Sequence, residues 1–97
     1  MRVTFNPKVD QDFDDAVTYY ESKAGKATVV KFTNEFRRLV REAAARPLSF
    51  PRYGQRRRRA NMPRFPYHVL FEIQDDSVRI LVLRHNKRHP SFGTRRR

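Results

Sequence analysis

A dense group of cations follows an apolar stretch in the last quarter of the chain. Residues 78–84 have the pattern of a strand with apolar side chains on both faces, and Arg84, His85, Lys87 and Arg88 come at its end. Such a strand usually lies inside a sheet and is a rigid support for functional side chains. Arg and Lys bind phosphate, and a histidine that titrates near neutrality can act as acid or base. The pattern therefore indicates phosphate binding or proton transfer at this strand end.

Histidines and an aromatic residue near this cluster have more than one interpretation. His85 is either a catalytic acid or base or a hydrogen-bonding residue that ends the strand, and its cationic neighbours favour function. His89 is a second candidate, whereas His68 lies in the middle of a predicted strand and is expected to be structural or on the surface. Phe92 can stack on a base.

A second cationic run, Arg56 to Arg59, lies between aromatic residues in the middle of the chain. One interpretation is a disordered, tail-like segment. The preferred one is an edge strand, because charged side chains protect exposed sheet edges from aggregation. Alternation then places Arg56 and Arg58 on one face and Arg57 and Arg59 on the other.

Net charge is the most unusual property of the composition. The 97 residues contain 22 Lys and Arg against 10 Asp and Glu, which gives +12 at pH 7. From Arg52 onward the acidic residues are Glu72, Asp75 and Asp76 alone, so the positive charge is concentrated in the C-terminal half. This balance favours an anionic partner such as nucleic acid, a ribonucleoprotein or an acidic protein. The alternative is a solvated basic surface without such a partner.

Several function classes have no support in the sequence. There is no cysteine, and no spacing of His, Asp or Glu is typical of a metal site. No glycine-rich phosphate loop or other cofactor motif occurs, so we expect neither cofactor nor metal. No apolar run approaches membrane-spanning length, and the first residues do not have the pattern of a signal peptide. We therefore expect a soluble cytoplasmic protein without a membrane partner.

Periodicity predicts one α+β domain over residues 1–97. A strand at residues 2–5 precedes a helix that begins at Asn6-Pro7 and ends near Gly25. A second helix covers residues 26–46, and a loop follows at residues 48–54. Three further strands complete a β-α-α-β-β-β order, in which the helical hairpin packs on an antiparallel sheet. Residues 94–97 are predicted to be a frayed basic tail.

The last two predicted strands differ in pattern. The first alternates, with its apolar residues on the face toward the helices; these are Tyr67, Val69, Phe71 and Ile73. In the second, regular alternation places Val78, Ile80 and Val82 on one face and Leu81 and Leu83 on the other. A polar turn at residues 74–77 joins the two strands.

These residues in this order resemble the RelE/ParE toxin superfamily of type II toxin–antitoxin systems, of the plasmid-stabilisation type. The resemblance covers nearly the whole chain. Its strongest carriers are the triplet Phe65-Pro66-Tyr67 and the block Val82-Leu83-Arg84-His85-Asn86-Lys87-Arg88-His89-Pro90. The helices contribute Asp15-Ala16, Tyr19-Tyr20-Glu21, Gly25 and Phe32. Pro47 and Phe50-Pro51 in the loop add to it.

The resemblance implies a growth-inhibiting toxin that a cognate antitoxin neutralises. In the RelE branch the toxin is an endoribonuclease that cleaves mRNA on the ribosome, and this is the function that we expect here. In the ParE branch it inhibits DNA gyrase without being a nuclease. Two features favour this second branch: no Tyr follows the terminal basic block, where Phe92 is the nearest aromatic residue, and the two helices are long.

RNA cleavage by 2′-hydroxyl attack needs a proton acceptor, charge stabilisation on the phosphorane and a proton for the leaving oxygen. By similarity to RelE-like sites, Arg84, His85 and Arg88 are the predicted catalytic residues. The predicted substrate contacts are Arg56, Arg58, Arg64, Lys87 and Phe92. We expect the C-terminal cations to converge with those after Tyr53 in one solvent-facing pocket.

Overall fold

The computed structural model describes all residues from Met1 to Arg97. Two helices and five strands follow one another in the chain, with a short 3-10 turn at Pro47–Ser49. Their bounds are β1 Arg2–Phe5, α1 Val9–Ala24, α2 Lys26–Ala45, β2 Arg52–Tyr53, β3 Arg57–Asn61, β4 Tyr67–Gln74 and β5 Ser77–His85. The predicted α+β class, with two helices packed on a sheet, is confirmed.

The sheet has the order β1-β5-β4-β3-β2. β3, β4 and β5 form the predicted antiparallel meander, and β2 extends it by one antiparallel strand. β1 pairs with β5 in parallel, so the sheet is mixed. The parallel pairing arises because the helical hairpin carries the chain across the sheet before the meander begins. The predicted loop at residues 48–54 also contains a strand, β2, which is only two residues long.

Gly25 separates the two helices. Its φ of 87° lies in the region that glycine adopts without strain, and its N–H donates to the carbonyl of Tyr20 at the end of α1. The first helix begins two residues later than Asn6-Pro7 predicts. The Asn6 side chain nevertheless accepts a hydrogen bond from the Lys8 N–H at 2.9 Å and so stabilises the turn that leads into α1.

Aromatic residues dominate the core between the helices and the sheet. Phe32 is fully buried on α2, and its ring lies 5.0 Å from Phe65 and 5.3 Å from Tyr67. Phe13 on α1 packs against Phe32 and Phe36, with ring centroids 5.9 and 5.3 Å apart. Tilted and edge-to-face ring pairs of this kind add to the free energy of simple area burial. They fix the helical hairpin on β4.

A β-bulge changes the faces of β5. The register shifts between Leu70 and Phe71, so that Leu70 pairs with Val82 while Phe71 pairs with Ile80. The prediction of regular alternation in β5 is therefore wrong: Leu83 packs in the core under the helices, and Leu81 and Val82 pack on the opposite face. One extra residue in a strand moves every later side chain to the opposite face of the sheet.

The C-terminal segment, residues 90–97, lies over the face of the sheet that the helices leave free. Phe92 packs on the small apolar cluster of Leu70, Leu81 and Val82. Gly93 has a φ of 81°, and a Cβ at this position would lie 2.5 Å from Cγ2 of Val82. The segment is therefore seated against the sheet and is not the frayed tail that the sequence indicates. No helix of the protein has the combination of length and apolarity needed to cross a membrane.

Candidate functional site

Arg84 is the centre of a buried polar network under the C-terminal segment. Its side chain is 4% exposed, and four of its five N–H groups have partners within the chain. Nη1 donates to the carbonyls of Pro90 and Phe92, each at 2.9 Å, and Nη2 donates to the Tyr53 hydroxyl at 2.6 Å. The guanidinium thus connects β2, β5 and the C-terminal segment.

His68 completes this network on β4. Arg84 Nε donates to His68 Nε2 at 2.9 Å, so the ring proton is on Nδ1, which donates to the Asn86 side-chain oxygen at 2.8 Å. Burial lowers the pKa of His68 from 6.5 to about 4; the hydrogen bond to Asn86 opposes this shift, and nearby cations such as Arg59 support it. His68 is therefore a neutral structural histidine at neutral pH.

We expect the free energy of unfolding to fall as the pH drops from 6.5 to 4. In this range the unfolded chain binds a proton at His68 that the folded chain does not bind, so protonation favours unfolding. Over the full shift of the His68 pKa, the free energy of unfolding falls by about 3 kcal/mol. Urea denaturation of wild type and His68→Gln at several pH values measures it. The variant should be less stable at pH 7 but should show a smaller decline, and parallel profiles would contradict the prediction.

An open cleft of about 320 Å³ lies between α1 and the end of β5, and four of the predicted site residues line it: Arg84, His85, Arg88 and Phe92. The His85 ring packs edge-on against Tyr67 at 5.1 Å, and its Nδ1 accepts the Lys87 N–H at 3.0 Å. The Arg88 guanidinium lies 4.0 Å above the Phe92 ring. This cleft is the one place where the predicted catalytic residues meet.

The other half of the cleft comes from α1 and is acidic and aromatic. Asp12, Asp15 and Tyr19 line it together with Tyr67. Burial, and more weakly Tyr20 and Tyr19, raise the pKa of Tyr67 above 10, so its hydroxyl keeps its proton at neutral pH. Carboxylates on one wall weaken the attraction of the cleft for phosphate. His85 and Arg88 are accessible, but the cleft is not the uniformly cationic pocket that the sequence predicts.

The remaining predicted site residues lie elsewhere. Arg56 is exposed at the turn before β3, and Arg58 is on the face toward the helices, where its Nη1 donates to the Phe50 carbonyl at 2.8 Å. Arg64 is exposed in the loop after β3, and its N–H donates to the Glu35 side chain at 2.9 Å. Lys87 is exposed beside the cleft. The single pocket predicted for all these cations does not form, because Arg58 bonds on the face toward the helices while Arg56 lies in a different groove, with Arg57 and residues 95–97.

Arg57 and Arg59, the alternate residues of β3, are the ones that share a face with Arg84. The Arg57 guanidinium donates to the carbonyls of Gly93, Thr94 and Arg96 at 3.0, 3.1 and 2.8 Å. Burial lowers the pKa of Arg57; Glu72 opposes this shift, and Arg84 and Arg96 add to it. Arg57 and Arg84 thus hold the C-terminal segment in place, whereas Arg59 bonds to Asn61 and Asn86.

Arg96 joins the C-terminal segment to α1 and β5. Its guanidinium forms a two-bond ion pair with Asp12 on α1 and donates to the Leu81 carbonyl at 3.1 Å. Asp12 also accepts the Leu83 N–H at 3.1 Å. β1 pairs with β5 only as far as Ile80. The ion pair therefore provides hydrogen-bond partners for the Leu83 N–H and the Leu81 carbonyl of β5. A longer β1 would otherwise provide these partners.

Sequence reasoning missed the hydrogen bond of His68 with Arg84 and the ion pair of Asp12 with Arg96. His68 has a sequence signal, because it alternates with the apolar residues of β4 and so faces away from the helices. Asp12 and Arg96 are 84 residues apart, and no local pattern connects them. No group of three or more His, Asp or Glu side chains is arranged to hold a metal ion.

Comparisons with known proteins are decisive for the family. The family model described as the ParE toxin of the type II toxin–antitoxin system, parDE, matches residues 3–90. The chain belongs to the ParE toxin family. A solved structure described as the chromosomal ParDE TA system from P. aeruginosa is similar in fold, with a TM-score of 0.78 at 17% identity over 88% of this chain and 95% of the other. A comparison with curated proteins gave no match.

This ParE family member carries part of its polar network outside the matched region. Arg96 and the carbonyls that Arg57 and Arg84 bind in residues 92–96 all lie beyond residue 90, where the match ends. Arg84, His68 and Asp12 lie within it. The family match therefore covers Arg84, His68 and Asp12 but not the C-terminal residues that bind Arg57, Arg84 and Asp12.

Proposed function

We propose that this type II toxin acts as a ParE-branch inhibitor of DNA gyrase in the cytoplasm and does not cleave RNA. The match to the ParE toxin over residues 3–90 carries the proposal. The geometry is consistent with it, because Arg84 uses its donors within the chain and the cleft beside His85 has an acidic wall. A binding inhibitor needs a stable surface and no catalytic group.

A RelE-like endoribonuclease acting on ribosome-bound mRNA is the second candidate. The accessible pair of His85 and Arg88 in one cleft favours it, because a proton-transfer group and a phosphate-binding group are then close together. Tyr67 in the same cleft does not supply an ionised hydroxyl at neutral pH, since burial raises its pKa. The ParE family match makes this candidate the weaker one.

A paired assay of the purified toxin distinguishes the two functions. We expect inhibition of gyrase-driven plasmid supercoiling, with ribosome-bound mRNA left intact in a parallel translation reaction. The variants Arg88→Ala and His85→Ala test whether any mRNA cleavage comes from this cleft, since a nuclease that uses it should lose cleavage with either change. Cleavage of mRNA by the wild type together with unaffected gyrase would refute the gyrase proposal.

Membership of a toxin–antitoxin family implies a cognate antitoxin. We propose that it supplies an acidic segment that orders on this basic toxin. Apolar residues of the antitoxin have a separate docking surface on the helical hairpin, where Tyr19 on α1 and Val30 on α2 are exposed, at 53% and 58%. Toxin that is purified in complex with its antitoxin should no longer inhibit supercoiling by gyrase in the assay above.

A further inference from the structure

The net positive charge of the protein lies outside its two helices. The helices α1 and α2 together carry six Lys and Arg and seven Asp and Glu, whereas the rest of the chain carries sixteen and three. Only two of the 22 cations pair with a carboxylate: Arg2 with Asp76, and Arg96 with Asp12. The two helices therefore have a net charge of −1 and the rest of the chain a net charge of +13, most of it not paired with carboxylates.

Two shallow grooves border the end of the C-terminal segment, one on each side. The first lies against the turn between β2 and β3 and is lined by five arginines and one acid, namely Arg56, Arg57, Arg95, Arg96, Arg97 and Glu72. The second lies against the start of α1, where Lys8 joins Arg95, Arg96 and Arg97. The last three residues therefore form a cationic ridge between two grooves.

Three guanidinium groups of this ridge and its wall are available to a partner. The side chains of Arg56, Arg95 and Arg97 are exposed and take no part in an ion pair, and they donate no hydrogen bond, in contrast to Arg57 and Arg96, which are bonded within the chain. Arg57 and Arg96 hold the ridge in place, so the free cations are fixed on a rigid support. Exposed arginines on such a support bind phosphate oxygens.

The aromatic residues of this face do not offer a platform for unpaired bases. Tyr53 is half-buried and lies under the Arg84 guanidinium at 5.4 Å, and Phe92 lies between the guanidiniums of Arg88 and Arg96, at 4.0 and 5.0 Å. Single-stranded nucleic acid is usually held by stacking on exposed aromatic rings. A cationic surface without free rings fits the backbone of a duplex better.

We propose that the ridge and its grooves bind the phosphate backbone of duplex DNA without sequence preference. This inference deepens the proposed function. It rests on that function in one respect, because we take the bound duplex to be the DNA that gyrase holds. The toxin then contacts both enzyme and DNA, and the contact to DNA is electrostatic.

Fluorescence anisotropy with a labelled duplex of about 20 base pairs tests the binding directly. A triple variant, Arg56→Gln/Arg95→Gln/Arg97→Gln, should bind about 10- to 100-fold more weakly at about 0.1 M salt, and its log–log salt slope should be smaller by about 3, one for each lost phosphate contact. The matched control removes three exposed arginines from α2, Arg37→Gln/Arg38→Gln/Arg41→Gln, and should stay within about threefold of wild type. Circular dichroism confirms that both variants are folded.

Equal weakening by both triple variants would overturn the proposal, because diffuse charge would then account for binding. Tighter binding to single-stranded RNA of the same length would overturn the assignment to duplex DNA. The supercoiling assay separates this inference from the proposed function. If the triple variant loses DNA binding yet inhibits gyrase as well as wild type, the DNA contact fails and the gyrase proposal remains. If wild type binds DNA but does not inhibit gyrase, the gyrase proposal fails and the DNA site remains.

Discussion

Replacing Arg84 by Ala is expected to lower the free energy of unfolding by about 2–4 kcal/mol, a large share of the stability of a small domain. The change removes four hydrogen bonds from a side chain that is 4% exposed. It leaves the Pro90 and Phe92 carbonyls and the His68 Nε2 without a donor. Part of the cost is offset, because the change also removes a cation close to Arg57. Urea denaturation monitored by circular dichroism measures the effect.

Arg88→Ala is the matched control for this experiment. Arg88 is exposed, and its guanidinium contacts the Phe92 ring without a hydrogen bond in the network. Its loss should change the free energy of unfolding by less than about 1 kcal/mol. If Arg84→Ala instead leaves stability unchanged and abolishes toxicity, Arg84 acts in the function itself, as the sequence predicts. If Arg84→Ala lowers both stability and toxicity, the role of Arg84 is structural.

Replacing Asp12 by Ala should have a similar or larger effect, about 3–5 kcal/mol. The change leaves the Arg96 guanidinium, whose side chain is 10% exposed, without its counter-ion, and the Leu83 N–H without an acceptor. Asp12→Asn should cost less, because an amide oxygen still accepts the Leu83 N–H. The measurement is again urea denaturation, on Asp12→Ala, Arg96→Ala and the double variant.

The double-mutant cycle isolates the contact between the two side chains. We expect a coupling energy of at least about 1.5 kcal/mol, since residues that share a buried network are not additive. The exposed pair Arg2 and Asp76, at 79% and 81% exposure, is the internal comparison, and Arg2→Ala should cost less than about 1 kcal/mol. Additive effects of Asp12→Ala and Arg96→Ala would show that the ion pair contributes little beyond its backbone contacts.

The elements of this protein follow from local signals in the sequence. Helical periodicity and the glycine between the helices determine the hairpin, and the alternation from Tyr67 to Ile73 determines which face of β4 lies under it. These signals are readable because each depends on neighbours a few residues apart. The superfamily was recognisable for the same reason, since the residues that carry the resemblance stand in a fixed order along the chain.

The parallel pairing of β1 and the arrangement of the cations were decided by the tertiary structure alone. The bulge at Leu81 reverses the alternation of β5, and a one-residue change of register moves every later side chain to the other face. Asp12 and Arg96 meet across 84 positions because β1 ends early and leaves part of the β5 edge to be satisfied by side chains. Charge and composition set how basic this protein is. Burial decides which arginines hold the fold together and which remain free for a partner, because a buried guanidinium must find its acceptors within the chain.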